Sequence, residues 1–186
     1  MHRLVLMLVA TGMYSVAAPR PAAAQESFVN FLVGKTTTST DSGGDGPRGV
    51  YGIAFGSLVP KAGAEIEFVY LPQLFETGVV NTSRAFSVMG DVFVGPTIGP
   101  VRIYGAIGVG DFYVNLSSAT ADFSSHYLTV NGGIGVAVFF GAHLGVRGDL
   151  RYFHPTGVEA DDLGRVGVSP EQLKFWRPTV GLTLKF

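Results

Sequence analysis

A serine–histidine pair is the first place in this sequence where side chains could perform covalent chemistry. His126 follows Ser124 and Ser125, and a histidine beside a serine can act as the base that activates a nucleophile. Adjacent residues of a β-strand point to opposite faces, so Ser124, but not Ser125, can share a face with His126. The sequence places no acidic residue plainly where it would orient His126, as a catalytic triad requires. We therefore interpret His126 as a residue without a catalytic role, as we do His143 and His154 beside other turns and loops.

Two acidic groups in polar stretches could hold a divalent cation. Glu159, Asp161 and Asp162 form one group, and Asp41 and Asp45 form the other. Neither group has the spacing of a calcium-binding loop, and the chain contains no cysteine for a thiolate site. We interpret both groups as solvated loop charges and predict neither a metal nor a cofactor.

Four acidic and four basic side chains lie inside otherwise apolar segments and could form ion pairs. Unpaired charge is costly in an interior, so a balanced set of this kind predicts pairing inside the fold. The alternative is that the same pairs rearrange to gate a narrow pore. The eight residues are Glu65, Glu67, Asp91, Arg102, Arg147, Asp149, Arg151 and Arg177.

Eight segments with a two-residue alternation predict the strands that position these side chains. One side of each segment is apolar, and the other consists mostly of Gly and Ala with isolated charges. Small residues and balanced charges suit the inside of a narrow closed barrel, whose apolar outside then faces lipid while the strands satisfy each other's backbone groups. A soluble lipocalin-like barrel is the alternative fold. The predicted strands span residues 27–35, 50–57, 62–71, 82–95, 101–110, 125–140, 143–153 and 175–186.

The predicted connections between these strands alternate strictly between long and short. Outer-membrane barrels have short periplasmic turns and long external loops, which imposes this parity and places both chain ends in the periplasm. Aromatic residues near the long connections agree with an aromatic belt at one membrane boundary. They are Tyr51, Tyr70, Phe86, Tyr113, Tyr152 and Trp176.

The overall composition excludes several classes of protein. Of 186 residues, 47% are hydrophobic and only 15% are charged, and the formal net charge is −1. High apolar content with almost no net charge excludes a disordered chain. The lack of a basic surplus argues against binding to nucleic acid.

The first 24 residues predict an export signal. Arg3 precedes an apolar run from Leu4 to Ala18, and the small residues that end at Ala24 fit a cleavage site before Gln25. An uncleaved anchor helix is the alternative, but the apolar run is shorter than the roughly 20 residues that span a bilayer. We therefore expect residues 1–24 to be removed and residues 25–186 to form one barrel domain.

Three segments resemble the small eight-stranded outer-membrane barrels of Gram-negative bacteria, the OmpA-like and OmpX-like proteins. HLGVRGDLRYF is similar to the penultimate strand of that group, and VNGGIGVAVFFGAHLGVRGDLRY resembles its glycine-rich hairpin. The final segment WRPTVGLTLKF resembles the C-terminal signal that the barrel assembly machinery reads in this family. The signal residues here are Trp176, Val180, Leu182, Leu184 and Phe186.

This resemblance implies an all-β, eight-stranded antiparallel up-and-down transmembrane β-barrel with short periplasmic turns and long extracellular loops. It implies a monomer in the bacterial outer membrane, in contact with outer-membrane lipids and lipopolysaccharide. A fold does not fix a function. We expect a structural or surface-interaction role, in envelope integrity, adhesion or extracellular ligand binding through the loops, without catalysis. A narrow porin-like channel and a lipid A-modifying enzyme that uses Ser124 and His126 are the alternatives.

Overall fold

Strands make up almost all of the described chain. The computed structural model describes residues 25–38, 48–72, 80–118, 122–156 and 173–186, and the predicted export signal lies outside these ranges. No helix within them is long and apolar enough to cross a bilayer. The long strands are β1 (Glu26–Thr38), β2 (Arg48–Val59), β3 (Ala62–Leu71), β4 (Val80–Val94), β6 (Val101–Ser118), β7 (Asp122–Phe140), β8 (Leu144–Pro155) and β9 (Phe175–Lys185), and a two-residue β5 (Thr97–Ile98) pairs only with the start of β6.

The eight long strands close into a barrel. Each pairs antiparallel with its neighbour in the chain, β4 pairs with β6, and β1 pairs with β9 to close the sheet. Closure removes both sheet edges, so in the closed part of the barrel the strands satisfy each other's backbone groups. The loop-end part of β7 extends past this closed part, since β7 pairs with β8 only from Thr129 onward. The predicted closed, antiparallel, up-and-down barrel is confirmed.

The strands are strongly staggered around the barrel. A path along paired residues that leaves β1 at Ser27 returns to β1 at Thr37, ten residues further along. A stagger of this size in eight strands corresponds to a tilt of about 40° from the barrel axis. The path runs through Ser57, Ala64, Val92, Ile107, Gly132, Tyr152 and Trp176.

The two ends of the barrel differ in their connections. Residues 60–61, 95–100 and 141–143 connect strands at the end where β1 begins and β9 finishes, which we call the turn end. Gly99 and Gly141 have φ angles of 60° and 74° in these turns, a conformation that favours glycine. The other end is the loop end. The two acidic groups discussed above, at residues 41–45 and 159–162, belong to connections at the loop end and lie outside the described residues.

The β6–β7 hairpin is longer than the sequence predicted. We expected a long connection between residue 110 and residue 125, but β6 continues to Ser118, β7 starts at Asp122, and the pairing is unbroken between them. Beyond Val109 the outward residues of β6 are mostly polar, so the apolar alternation stops there. A prediction based on that alternation therefore ends the strand too early. The strand nevertheless continues, because backbone pairing and an inward apolar face persist after the outward face has become polar.

The apolar side of the sheet is its exterior. Ile107 and Ile134 are 67% and 66% exposed, whereas the inward Arg151 is 1% exposed. This is the reverse of a water-soluble sandwich, in which the apolar side is buried. Outward aromatic residues form a row across neighbouring strands toward the loop end. The row consists of Tyr51, Tyr70, Phe86 and Tyr113, which are successive cross-strand partners from β2 to β6.

Candidate functional site

A carboxylate at the centre of the barrel organises the interior. The Glu65 side chain on β3 is completely buried and accepts two hydrogen bonds from Arg147 on β8, with Nη1–Oε2 and Nη2–Oε1 distances of 2.5 and 2.8 Å. Arg151, also on β8, donates from Nη2 to Oε1 of Glu65 at 2.7 Å. One glutamate therefore holds two guanidinium groups, and the paired arrangement with Arg147 is the strongest form of this contact.

Two aspartates extend this cluster. Asp149 accepts from Nε of Arg147 at 2.7 Å and from the hydroxyl of Tyr104 at 2.7 Å. Asp91 accepts from the side-chain amide of Asn131 at 2.7 Å. Its other oxygen lies 2.9 Å from Nη1 of Arg151, close enough for an ion pair but not aligned as a hydrogen bond.

A separate pair lies next to this cluster. Nη2 of Arg177 on β9 donates to Oε1 of Glu67 on β3 at 2.5 Å, and both side chains are almost fully buried. The Arg177 guanidinium carbon also lies 4.3 Å from the centre of the Phe153 ring, a distance at which a cation is attracted to the ring face.

Most of the interior charges are segregated on opposite walls, and Asp149, which lies on β8 between Arg147 and Arg151, is the exception. Glu65 and Asp91 are direct cross-strand neighbours on β3 and β4, and Arg151 and Arg177 are direct neighbours on β8 and β9. Like charges side by side destabilise a sheet, so the charges of each wall need the opposite charges of the other wall to compensate their repulsion. The ion pairs that Glu65, Glu67 and Asp91 form therefore run across the lumen and join the two walls.

Inward glycines make room for these side chains. A Cβ atom at Gly108 would overlap the carboxylate of Asp91 and lie 2.7 Å from the Asn131 amide nitrogen. A Cβ atom at Gly135 would overlap the Tyr104 ring. At these two positions the missing side chain leaves the space that Asp91 and Tyr104 occupy.

Apolar layers fill the lumen on both sides of the charges. Toward the loop end, Phe112, Phe153 and Phe175 pack together, with ring centres 5.1 to 5.6 Å apart for the two pairs that include Phe175. Toward the turn end, Phe93 packs against Phe28 and Tyr104 at 6.3 and 5.3 Å. The interior is thus a packed core, with large side chains among the small ones that the sequence led us to expect.

Arg102 departs from the predicted network. Its Nη2 donates to the backbone oxygens of Val59 and Ala62 at 3.0 and 2.9 Å, at the turn end. Within the described part of the chain it has no carboxylate partner, and its Nε is buried without a hydrogen bond. The prediction that Arg102 joins the ion pairs is therefore wrong, because its position on β6 is too close to the turn end to reach the central carboxylates.

The loop-end exterior holds the histidine that the sequence singled out. Nδ1 of His126 lies 2.7 Å from Oδ2 of Asp111, and both side chains are about half exposed. The His126 ring also packs on Tyr113, with ring centres 4.7 Å apart. Ser124 is exposed two residues before His126 on the same face. Our expectation that no acid orients His126 is wrong, because the extended β6 brings Asp111 to the diagonal position beside it.

The predicted assembly-signal residues share one face of β9. All five point outward and are at least 40% exposed, and the backbone of Phe186 exchanges two hydrogen bonds with Ser27 on β1. The backbone of Phe186 is therefore held between β9 and β1, the two strands that close the barrel, and its ring is exposed on the outside. The five residues are Trp176, Val180, Leu182, Leu184 and Phe186.

No group of three or more metal-ligating side chains occurs within the described ranges.

Comparison with known proteins agrees with this architecture. The family model of the outer membrane protein beta-barrel domain matches residues 8–186. Among solved structures, Neisserial surface protein A (NspA) is similar with a TM-score of 0.63 at 11% identity, over 87% of this chain and 97% of that chain. The N-terminal β-barrel domain of Pseudomonas aeruginosa OprF gives 0.57 at 12% identity, over 87% of this chain and 97% of that one. Ail, the attachment invasion locus protein of Yersinia pestis, gives a TM-score of 0.55 at 14% identity, over 89% of this chain and 100% of that chain. No curated protein matches the sequence.

Proposed function

Because the chain belongs to the outer membrane protein β-barrel family, we propose that it is a closed outer-membrane barrel with a structural and surface-interaction role. The filled lumen carries this proposal. A layer of ion pairs lies between two apolar layers, and inward residues such as Glu65, Arg151 and Phe112 are almost inaccessible to solvent. Such an interior stabilises the barrel and leaves little space for a solute to pass. Contacts with other molecules are therefore expected at the loop end.

The β6–β7 hairpin is the described element best suited to surface contacts. Beyond the apolar band its outward residues are polar, including Asp111, Asn115, Ser124 and His126. One protein of similar fold is named for attachment and invasion, and one of its structures is a complex with the heparin analogue sucrose octasulfate. A barrel of this shape can therefore present a binding surface, which supports the same class of role here.

A deletion strain of the source bacterium tests the two parts of the role. One complementing copy is wild type, and a second lacks residues 115–124, with an Asn-Gly turn joining Val114 to Ser125, which are paired in register. We expect deletion to increase entry of a hydrophobic dye and to reduce adherence to epithelial cells. The shortened hairpin should restore the barrier but not adherence. A deletion strain with unchanged dye entry and adherence would contradict the proposal.

Conductance measurements address the channel alternative. Purified protein in planar bilayers should give no discrete conductance steps, and Arg147→Glu should lower thermal stability without opening a path. Regular steps in the wild type that Arg147→Glu alters would instead favour a gated pore.

A second candidate function has one observation in its favour, the contact between Asp111 and His126. Asp111 would hold the imidazole, and Nε2 of His126 would take the proton of Ser124 as the Ser124 oxygen attacks an ester carbonyl of an outer-leaflet lipid. The proton then passes to the leaving alkoxide, and water releases the acyl group. Mass spectrometry of lipid A vesicles incubated with the purified protein tests this. Ester loss abolished by Ser124→Ala, but retained in Ser125→Ala, whose side chain is on the other face, would establish the activity.

A further inference from the structure

The pairing of β1 with β9, which closes the barrel, has one interruption toward the loop end. Ser27 and Phe186 exchange both of their backbone hydrogen bonds, and in an antiparallel ladder every second pair does the same. In the register of these strands, Lys35 and Pro178 occupy such a position, but the observed pairing skips Lys35 and Thr36. Pro178 has no N–H to donate. The backbone oxygen of Lys35 therefore has no donor on the neighbouring strand.

The side chain of Lys35 is an outward cation at the same place. It is exposed two residues beyond Val33, which is 56% exposed on the apolar outer face. No carboxylate of the described ranges lies within ion-pair distance of its ammonium group. The outward Asp111 is on β6, on the opposite side of the barrel. A lysine at this border lays its apolar stem along the acyl chains and places its charge among the lipid headgroups.

Two aromatic side chains flank Lys35 on the outer face. On β2, Gly49 is the direct partner of Lys35, and a Cβ atom at Gly49 would lie 3.5 Å from the hydroxyl oxygen of Tyr51. The Tyr51 ring therefore lies over Gly49 and brings its hydroxyl beside the Lys35 position. On β9, Trp176 lies two residues from Pro178 toward the loop end and is 42% exposed. Tyrosine and tryptophan are enriched where apolar chains meet polar headgroups.

The polar groups at this place require different partners. The Lys35 ammonium group and the Tyr51 hydroxyl can both donate to a phosphate oxygen. The Lys35 backbone oxygen instead needs a donor, such as a hydroxyl or an amide N–H. A headgroup that satisfies all three carries a phosphate beside hydroxyl or amide groups, as a phosphorylated amino sugar does. Because this face continues into the apolar band, the same ligand must also carry acyl chains.

We propose that the outer face at the junction of β1 and β9 binds a phosphorylated glycolipid of the outer leaflet, the chemical class of lipid A. Its phosphate pairs with Lys35 and Tyr51, and its sugar donates to the Lys35 backbone oxygen that Pro178 leaves unpaired. Its acyl chains lie along the apolar band below. The site rests on the orientation in which the loop end faces outward, and it does not depend on the surface-interaction role of the β6–β7 hairpin.

Binding can be measured on the folded protein in zwitterionic detergent micelles. Trp176 is the single tryptophan of the chain and adjoins the proposed site, so its fluorescence reports occupancy. The probes are lipid A, dephosphorylated lipid A and phosphatidylglycerol, an anionic lipid without a sugar. We expect a saturable change with lipid A and at least about tenfold weaker binding of the other two lipids.

The three probes separate the parts of the proposal. No saturable change with lipid A, or equal binding of its dephosphorylated form, would overturn the phosphate site. Equal binding of phosphatidylglycerol would show a site for anionic lipids in general and would overturn the assignment of a glycolipid.

Variants at Lys35 assign the charged contact. Lys35→Gln should weaken lipid A binding at least about tenfold, because it removes a charge-assisted hydrogen bond. Lys35→Arg keeps the charge and should bind within about threefold of wild type. Arg84→Gln removes another exposed cation, on β4 toward the loop end, and is the matched control that should bind as wild type. An equal loss in Arg84→Gln would contradict the assignment, since it would indicate general attraction between charges.

A variant at Pro178 tests the backbone contact independently of charge. Pro178→Val supplies the missing N–H, so the Lys35 oxygen gains a donor on β9 and the lipid loses one hydrogen bond. We expect lipid A to bind about two- to fivefold more weakly, with the preference for the phosphorylated form retained. Unchanged or tighter binding in Pro178→Val would overturn the contact between the sugar and the Lys35 backbone oxygen.

Discussion

The pair formed by Glu67 and Arg177 allows a direct measurement of what interior charges contribute to this barrel. The two side chains are 3% and 2% exposed and are joined by a hydrogen bond of 2.5 Å. Arg177→Met leaves the Glu67 carboxylate buried without its donor, and Glu67→Met does the same to Arg177. Removing one partner of a buried pair costs about 3–5 kcal/mol.

The double variant should behave differently from the sum of the singles. Two methionines fill a similar volume, and the one at position 177 can still pack against Phe153. Replacing a buried pair by apolar residues is often neutral or stabilising. We expect the double variant within about 1 kcal/mol of wild type, and hence a coupling free energy of at least about 5 kcal/mol between the two positions.

The assay is urea unfolding in lipid vesicles, followed by the fluorescence of Trp176, the single tryptophan of the chain. Trp176 is on the outer face and packs against Tyr152, with ring centres 5.1 Å apart, so unfolding moves it from lipid to water. Because Trp176 is adjacent to position 177, the substitution itself can change its fluorescence. Heat-modifiable gel mobility measures folding without relying on Trp176. If Arg177→Met alone cost less than about 1 kcal/mol, or if the double variant lost as much as both singles together, the pair would not be the desolvated contact described here.

Three further predictions concern the wall of the barrel and its last residue. Ile134→Lys, at a position 66% exposed on the outer face, should cost about 2–4 kcal/mol in the same assay, and Ile134→Val should cost far less. Gly108→Ala should destabilise by about 1–3 kcal/mol because its Cβ overlaps Asp91, whereas Gly105→Ala, whose nearest neighbour is 3.9 Å away, should be tolerated. Phe186→Ser should reduce the heat-modifiable band in cell membranes and leave refolding in detergent unchanged; equal losses in both would contradict a role in assembly.

The sequence was sufficient to predict which side of each strand faces lipid. Alternation separates Ile103 and Ile107 from Arg102 and Tyr104, and the structure keeps that separation. Closure and antiparallel order also followed, because eight amphipathic strands without another apolar face have few other ways to satisfy their backbones.

The partners of individual charges could not be predicted. Arg147 and Glu65 are 82 residues apart and lie on opposite walls, so their contact depends on the stagger of the whole barrel, which no local pattern encodes. Arg102 looked equivalent to Arg147 by alternation, and only its height in the barrel separates them.

The Asp111–His126 contact was hidden for a related reason. It depends on pairing beyond the apolar band, where the two-residue pattern of hydrophobicity has already ended. Strand pairing in that region could be inferred only from the inward residues Phe112 and Val114, which remain apolar and buried.

The β6–β7 hairpin is long enough to extend well beyond the apolar band of the barrel. From Val109 to Ser118 the strand runs about 30 Å along its own direction, which at the tilt of the barrel raises its tip about 20 Å above the apolar band. In the orientation expected for an outer-membrane barrel the loop end faces outward, so we expect this part of the hairpin to be reachable by antibodies, bacteriophages and proteases on intact bacteria. Selection by such agents would act on the tip of this hairpin, while the lipid-facing and interior residues stay under the separate constraint of folding.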